Sequence, residues 1–318
     1  MNRRDFISKT SQTTAALSLM GLYACNDAKK NKNKLEGVIK NPELFFKISL
    51  AEWSFHRSLK SGKMDNLDFA ARSRSLGCEG IEYVNGFFKD KAKDMSYLKD
   101  MKLRADAEGQ QNVLIMIDGE GALANANEKE RLEAVENHYK WVEAAHFLGC
   151  HAIRVNLAGG KDKSDAVKAG VDSLSKLSEF AQGSNINVLV ENHGGFSSNG
   201  EWMTDVFSQI KSKNCGTLPD FGNFCIKKNK NKECLDAYDR YKGMKELLPF
   251  AKAVSAKSYD FDADGNETTI DFYKMIEMVK SVNYNGFIGI EFEGHGLTED
   301  KGITLTRDLL IKAGKKLS

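Results

Sequence analysis

Glu191, Asp220 and Glu291 each fall at the end of a short β-rich run, in Val190-Glu191-Asn192-His193, Leu218-Pro219-Asp220-Phe221 and Gly289-Ile290-Glu291. Three carboxylates brought to one place repel one another unless a cation neutralises them. Oxygen-rich ligation suits Mg2+ or Mn2+, whereas an added imidazole favours Mn2+, Co2+ or Zn2+. A cation held there can clamp a hydroxyl–carbonyl pair and stabilise the enediolate left by proton abstraction. Glutamates on opposite sides of the substrate then move the proton. A further run, Val254-Ser255-Ala256-Lys257-Ser258, puts Ser255 and Lys257 on one face by period-two alternation. Lys257 offers a second way to place a positive charge among the acids. Glu191, Glu291, Lys257 and His193 are therefore the catalytic candidates, and Glu191, Asp220 and Glu291 the metal ligands.

Such groups must come from separate strands that share one rim. Eight β-rich runs are legible at 47–52, 80–84, 112–117, 152–156, 187–191, 215–219, 253–257 and 287–291. Amphipathic segments such as 129–148 separate them, and that alternation points to a parallel sheet with crossover helices. Leu76-Gly77-Cys78 and Leu148-Gly149-Cys150 repeat one junction, a helix-capping glycine that drops into the next strand. Eight units over the body of a 318-residue chain predict a single-domain α/β fold, the (β/α)8 TIM barrel. A doubly wound sheet competes less well, since no GxGxxG follows the first run. Polar groups at the run ends face the rim where such barrels do chemistry. They include Trp53, His56, Glu82, Asp118, Asn156 and Asn223, read as substrate contacts. Trp53 and His56 serve equally well as packing that plugs the mouth.

At these residues the chain resembles the xylose-isomerase-like TIM-barrel superfamily, known as sugar phosphate isomerase/epimerase, over roughly residues 45–315. Gly80-Ile81-Glu82-Tyr83, Val190-Glu191-Asn192-His193, Leu218-Pro219-Asp220-Phe221-Gly222-Asn223-Phe224 and Gly289-Ile290-Glu291 carry the resemblance. It implies a divalent metal held by Glu191, Asp220 and Glu291, and proton transfer by the two glutamates. It also implies a histidine where Ser255 stands. Either three carboxylates plus water or His193 hold the ion, or the site has changed chemistry, with Lys257 as the cation.

The N-terminus reads as an address. Arg3-Arg4 with Phe6 and Ile7, then an apolar run to Ala24, resemble a twin-arginine signal. Leu22-Tyr23-Ala24-Cys25 resembles a lipobox that would place acyl chains on Cys25. The expected layout is a signal peptide over 1–24, lipidated Cys25 and a polar tether over 25–44, and the barrel over 45–318. This predicts an exported lipoprotein, periplasmic or at the cell surface, that meets the membrane through its anchor alone. Without residues 1–34, which hold seven Lys or Arg and two Asp, the formal charge of +2 becomes −3. That balance weighs against nucleic-acid binding, and a homo-oligomer is compatible with it. Five cysteines remain beyond Cys25, an odd number and a poor disulfide framework, so buried thiols are expected. Lys227 to Lys232 reads as a solvated loop, and His138, His146 and His151 as structural.

The expected function is metal-dependent isomerisation or epimerisation of a non-phosphorylated sugar or keto-sugar. A lyase or hydratase of oxidised (3-keto) sugars on the same barrel is the alternative. A non-catalytic glycan-binding surface lipoprotein is a third reading.

Overall fold

The computed structural model describes residues 44–317. The twin-arginine signal, the lipobox with Cys25 and nearly all of the tether lie outside the described residues. Among those residues no helix is long and apolar enough to cross a membrane.

Eight strands form one parallel sheet: β1 (Lys47–Ala51), β2 (Gly80–Val84), β3 (Gln111–Met116), β4 (Ala152–Val155), β5 (Asn187–Glu191), β6 (Cys215–Leu218), β9 (Val254–Ser258) and β10 (Phe287–Phe292). Between β6 and β9 the chain inserts an exposed antiparallel hairpin, β7 (Cys225–Lys228) and β8 (Cys234–Ala237). The sheet runs β6-β5-β4-β3-β2-β1-β10-β9, and β6 meets β9 through parallel bridges Thr217–Ala251 and Asp220–Ser255. At that seam the Phe221 N–H donates to the Ser255 carbonyl and the Ser255 N–H to the Pro219 carbonyl, at 3.0 and 2.9 Å. The barrel thus closes at two residues of the candidate site.

Helices cover the outside, and local signals set their ends. Asn127 caps Glu128–Leu148 by accepting from the Glu130 N–H, and Asp162 caps Lys163–Gln182 through the Ser164 and Asp165 N–H groups. Gly77 and Gly149 take φ values of 79° and 81° just before β2 and β4, as the repeated junction requires. Ile48, Leu50, Ile81, Ile115, Ile153, Val188, Val190, Ile288 and Ile290 point outward into the core beneath the helices. Ala51, Leu114, Met116, Ala152, Leu189, Leu218, Ala253 and Phe287 belong to a second apolar cluster inside the barrel.

Side chains two residues onward from this inner cluster are polar. Ala152 leads to Arg154, Leu189 to Glu191, Ala253 to Ser255 and then Lys257, and Phe287 to Gly289 and Glu291. The apolar layer thus gives way to a charged layer toward the C-terminal ends. Gly289 is required there, since a Cβ would lie 2.5 Å from both Glu82 carboxylate oxygens.

Cys225 and Cys234 form a disulfide, with Cα atoms 5.8 Å apart. The cysteine reading is corrected accordingly: the odd count is one bridge plus free Cys78, Cys150 and Cys215. Lys227–Lys232 is exposed as expected, apart from half-buried Asn229, and it includes the turn of the bridged hairpin.

Candidate active site

Glu191, Asp220 and Glu291 come together at the top of β5, just beyond β6, and on β10. One oxygen from each lies within 4.8 Å of the others, and all three side chains are buried. Burial pushes Glu191 and Asp220 up to about 7, because removing a carboxylate from water penalises its charge. Each is held differently. Glu191 Oε1 accepts from Asn223 Nδ2 at 2.9 Å, and its Oε2 lies 2.9 Å from Arg154 Nε. That second contact is an ion pair without hydrogen-bond alignment, leaving Oε2 without a donor. Asp220 Oδ1 accepts the Gly222 and Asn223 N–H groups, both at 2.8 Å, and Oδ2 accepts Ser255 Oγ at 2.6 Å. Glu291 Oε1 accepts from Lys257 Nζ at 2.7 Å, and Oε2 lies 3.2 Å from Ser255 Oγ.

Two buried cations serve several acids at once. Arg154 Nη1 donates to Asp118 Oδ1 at 2.7 Å, and Asn156 Nδ2 donates to the same oxygen at 2.7 Å. The Arg154 charge keeps Asp118 below the usual carboxylate range. Lys257 also reaches Glu293 Oε2 at 3.3 Å. Burial pulls the Lys257 ammonium down, but Glu291, Asp220, Glu293 and Glu191 outweigh it and hold the pKa well above the ordinary value. Five carboxylates therefore face two fixed cations, and Asp220 makes no ion pair with either.

This donor set fits a hard divalent cation. Three buried carboxylates converge, one oxygen lacks a donor, and negative charge remains in excess. Glu191, Asp220 and Glu291 would hold such an ion.

The other expected residues surround this centre in tiers. Glu82 is buried on β2, accepts from Ser49 Oγ at 2.5 Å, and leaves Oε2 without a partner. Burial pushes its pKa up to about 8, Ser49 opposing and Glu291 adding to the rise. Trp53 donates its indole N–H to Glu293, stacks on His56 at 5.1 Å between centroids, and lies 6.0 Å from Phe87. These rings form a half-buried wall beside Glu293. His193 is exposed at the rim; the desolvating mouth, then Arg154 and Lys257, hold its imidazole below the usual value.

Not every run-end acid joins the site. Glu120 turns outward to Lys140 and Trp141, at 2.9 and 2.8 Å. Glu52 accepts the Val84 N–H at 2.9 Å within the wall. His138 and His146 bond backbone carbonyls, as their structural reading expects. Arg154 was not among the sequence candidates. Its signal was available: a charged residue on the Ala152 face of an otherwise apolar strand, two residues before Asn156.

A model of the xylose isomerase-like TIM barrel family matches residues 70–313. Among solved structures, a sugar phosphate isomerase/epimerase from Parabacteroides distasonis aligns at TM-score 0.66 and 15% identity, covering 87% of this chain and 98% of that one. The 3-keto-D-glucoside 4-epimerase of E. coli aligns at 0.65 and 14%, covering 84% and 99%. The IOLI protein with a binding zinc atom aligns at 0.64 and 16%, covering 85% and 99%. At such identities these likenesses establish the fold. No match is found among curated proteins.

Proposed function

The chain belongs to the xylose isomerase-like TIM barrel family, and from that premise we propose a sugar isomerase or epimerase that moves a proton beside a carbonyl. The observation that carries this reading is the convergence of buried Glu191 and Glu291 from β5 and β10 around Asp220. A carboxylate poised near neutrality by burial can take a proton from carbon and return it. In this reading Glu191 abstracts the proton from one face of the substrate, and Glu291 delivers one from the other. Arg154 and Asn223 hold Glu191, while Lys257 fixes the Glu291 carboxylate and pairs with Glu293 as well. A divalent cation, when bound, would polarise the carbonyl and neutralise the enediolate oxygen. The Trp53–His56–Phe87 wall offers an apolar face for the sugar ring.

The electrostatics support a substrate without phosphate. Five carboxylates crowd the mouth, and both buried cations are already paired, so a dianion would be repelled. The proposal extends to location: an exported protein anchored through Cys25. The Cys225–Cys234 bridge supports an oxidising compartment.

The test is incubation with free ketoses and 3-keto-glycosides in D2O, followed by NMR. The proposed activity gives deuterium beside the carbonyl and a new stereoisomer or carbonyl position. A dehydrated or hydrated product would assign the alternative lyase or hydratase chemistry.

A further inference from the structure

We infer that Ser255 occupies a ligand position of the carboxylate centre, making it an all-oxygen cation site suited to Mg2+ or Mn2+ rather than Zn2+. This rests on reading Glu191, Asp220 and Glu291 as a cation site. Ser255 is buried, and its Oγ stands between two of the three acids, 2.6 Å from Asp220 Oδ2 and 3.2 Å from Glu291 Oε2. A hydroxyl has one proton, so it can donate to only one of these oxygens at a time. The second is then left in a buried, negatively charged place that a cation satisfies.

Ser255 cannot drift from this position. Its N–H bonds to the Pro219 carbonyl and its carbonyl accepts from Phe221, so the barrel seam holds it beside Asp220. Lys257, two residues along the same face, is committed to Glu291 and Glu293. Among the described residues, the metal-competent group contains neither imidazole nor thiolate. Carboxylate and hydroxyl oxygens suit hard cations, whereas Zn2+ gains most from nitrogen and sulfur ligands.

The purified protein tests this with metals alone. Ser255→Cys is close to isosteric and puts sulfur where Oγ now stands. With Co2+ it should show intense sulfur-to-cobalt charge-transfer absorption in the near ultraviolet, and the wild type only weak ligand-field bands. Ser255→His should raise Zn2+ affinity about tenfold or more, with a smaller change for Mn2+. Stoichiometric Co2+ binding by S255C without the charge-transfer band overturns the assignment of Ser255. Failure of the wild type to bind Mn2+, Mg2+ or Co2+ overturns the cation reading beneath it. S255C keeps the test decisive if S255H does not fold.

Discussion

Arg154 Nε lies 2.9 Å from Glu191 Oε2, both side chains are buried, and the same guanidinium holds Asp118 through Nη1 at 2.7 Å. One residue of β4 thereby ties the acid at the end of β5 to the acid beyond β3. Burial penalises every charge in this arrangement, and the single Arg154 guanidinium offsets part of that penalty for both acids at once. Arg154 thus positions Glu191 without itself standing among the converging acids.

Removing that guanidinium leaves a buried carboxylate without its charge partner. Arg154→Met should cost about 3–5 kcal/mol of stability, read as a lower urea midpoint with an unchanged slope. In a double-mutant cycle with Glu191→Gln, the combined loss should fall well short of the two single losses added. Additive losses would mean that the ion pair contributes nothing.

Stability should fall as pH rises. Glu82 is pushed to about 8, against an ordinary value of 4.5, chiefly by burial. The folded state therefore holds this proton after the unfolded chain has released it. Its contribution is complete below about pH 4.5 and is lost as pH climbs through about 8, at up to about 1.4 kcal/mol per pH unit. Glu191 and Asp220 act in the same direction up to about 7. Thermal melts in chelator should show a falling Tm from pH 5 to 9, and Glu82→Gln should flatten the slope. An equal slope in wild type and variant would contradict the burial assignment.

The aromatic wall should act on binding more than on chemistry. Trp53→Ala should raise KM about three- to tenfold, the equivalent of 0.5–1.5 kcal/mol of ring contact. Trp53→Phe keeps a ring but loses the N–H donated to Glu293, so its KM should move less. Steady-state kinetics on any turned-over ketose would separate the two.

Much of this site was legible because barrel chemistry gathers at strand ends and strand ends are marked in sequence. Glu191, Asp220 and Glu291 each follow a short strand-like run, and period-two alternation placed Ser255 and Lys257 on one face. The capping glycines Gly77 and Gly149 announced their junctions for the same local reason. Partnership was less legible. Nothing in the spacing of Glu120 says that Lys140 and Trp141 on a neighbouring helix will draw it away from the rim. The lone charge of Arg154 inside an apolar strand is visible in the sequence, but which acids it serves depends on its cross-strand neighbours. The Cys225–Cys234 bridge escaped a count that took all the cysteines together, while the local signal was a lysine-rich turn between two cysteines.

That bridge gives a direct chemical expectation. In denatured, unreduced protein, iodoacetamide should label Cys78, Cys150 and Cys215 but leave Cys225 and Cys234 unmodified until a reductant is added. Chain entropy for a bridge spanning nine residues sets an upper stabilisation of about 2.5 kcal/mol. Cys225→Ser with Cys234→Ser should therefore lower stability by no more than that.

The most direct test of the two-glutamate acid–base pair is solvent deuterium exchange by wild type, Glu191→Gln and Glu291→Gln on the same ketose panel. Wild type should incorporate deuterium beside the carbonyl, and each variant should lose at least about a hundredfold in exchange rate while remaining folded. Undiminished exchange in both variants, or none by the metal-supplemented wild type on any member of the panel, would contradict it.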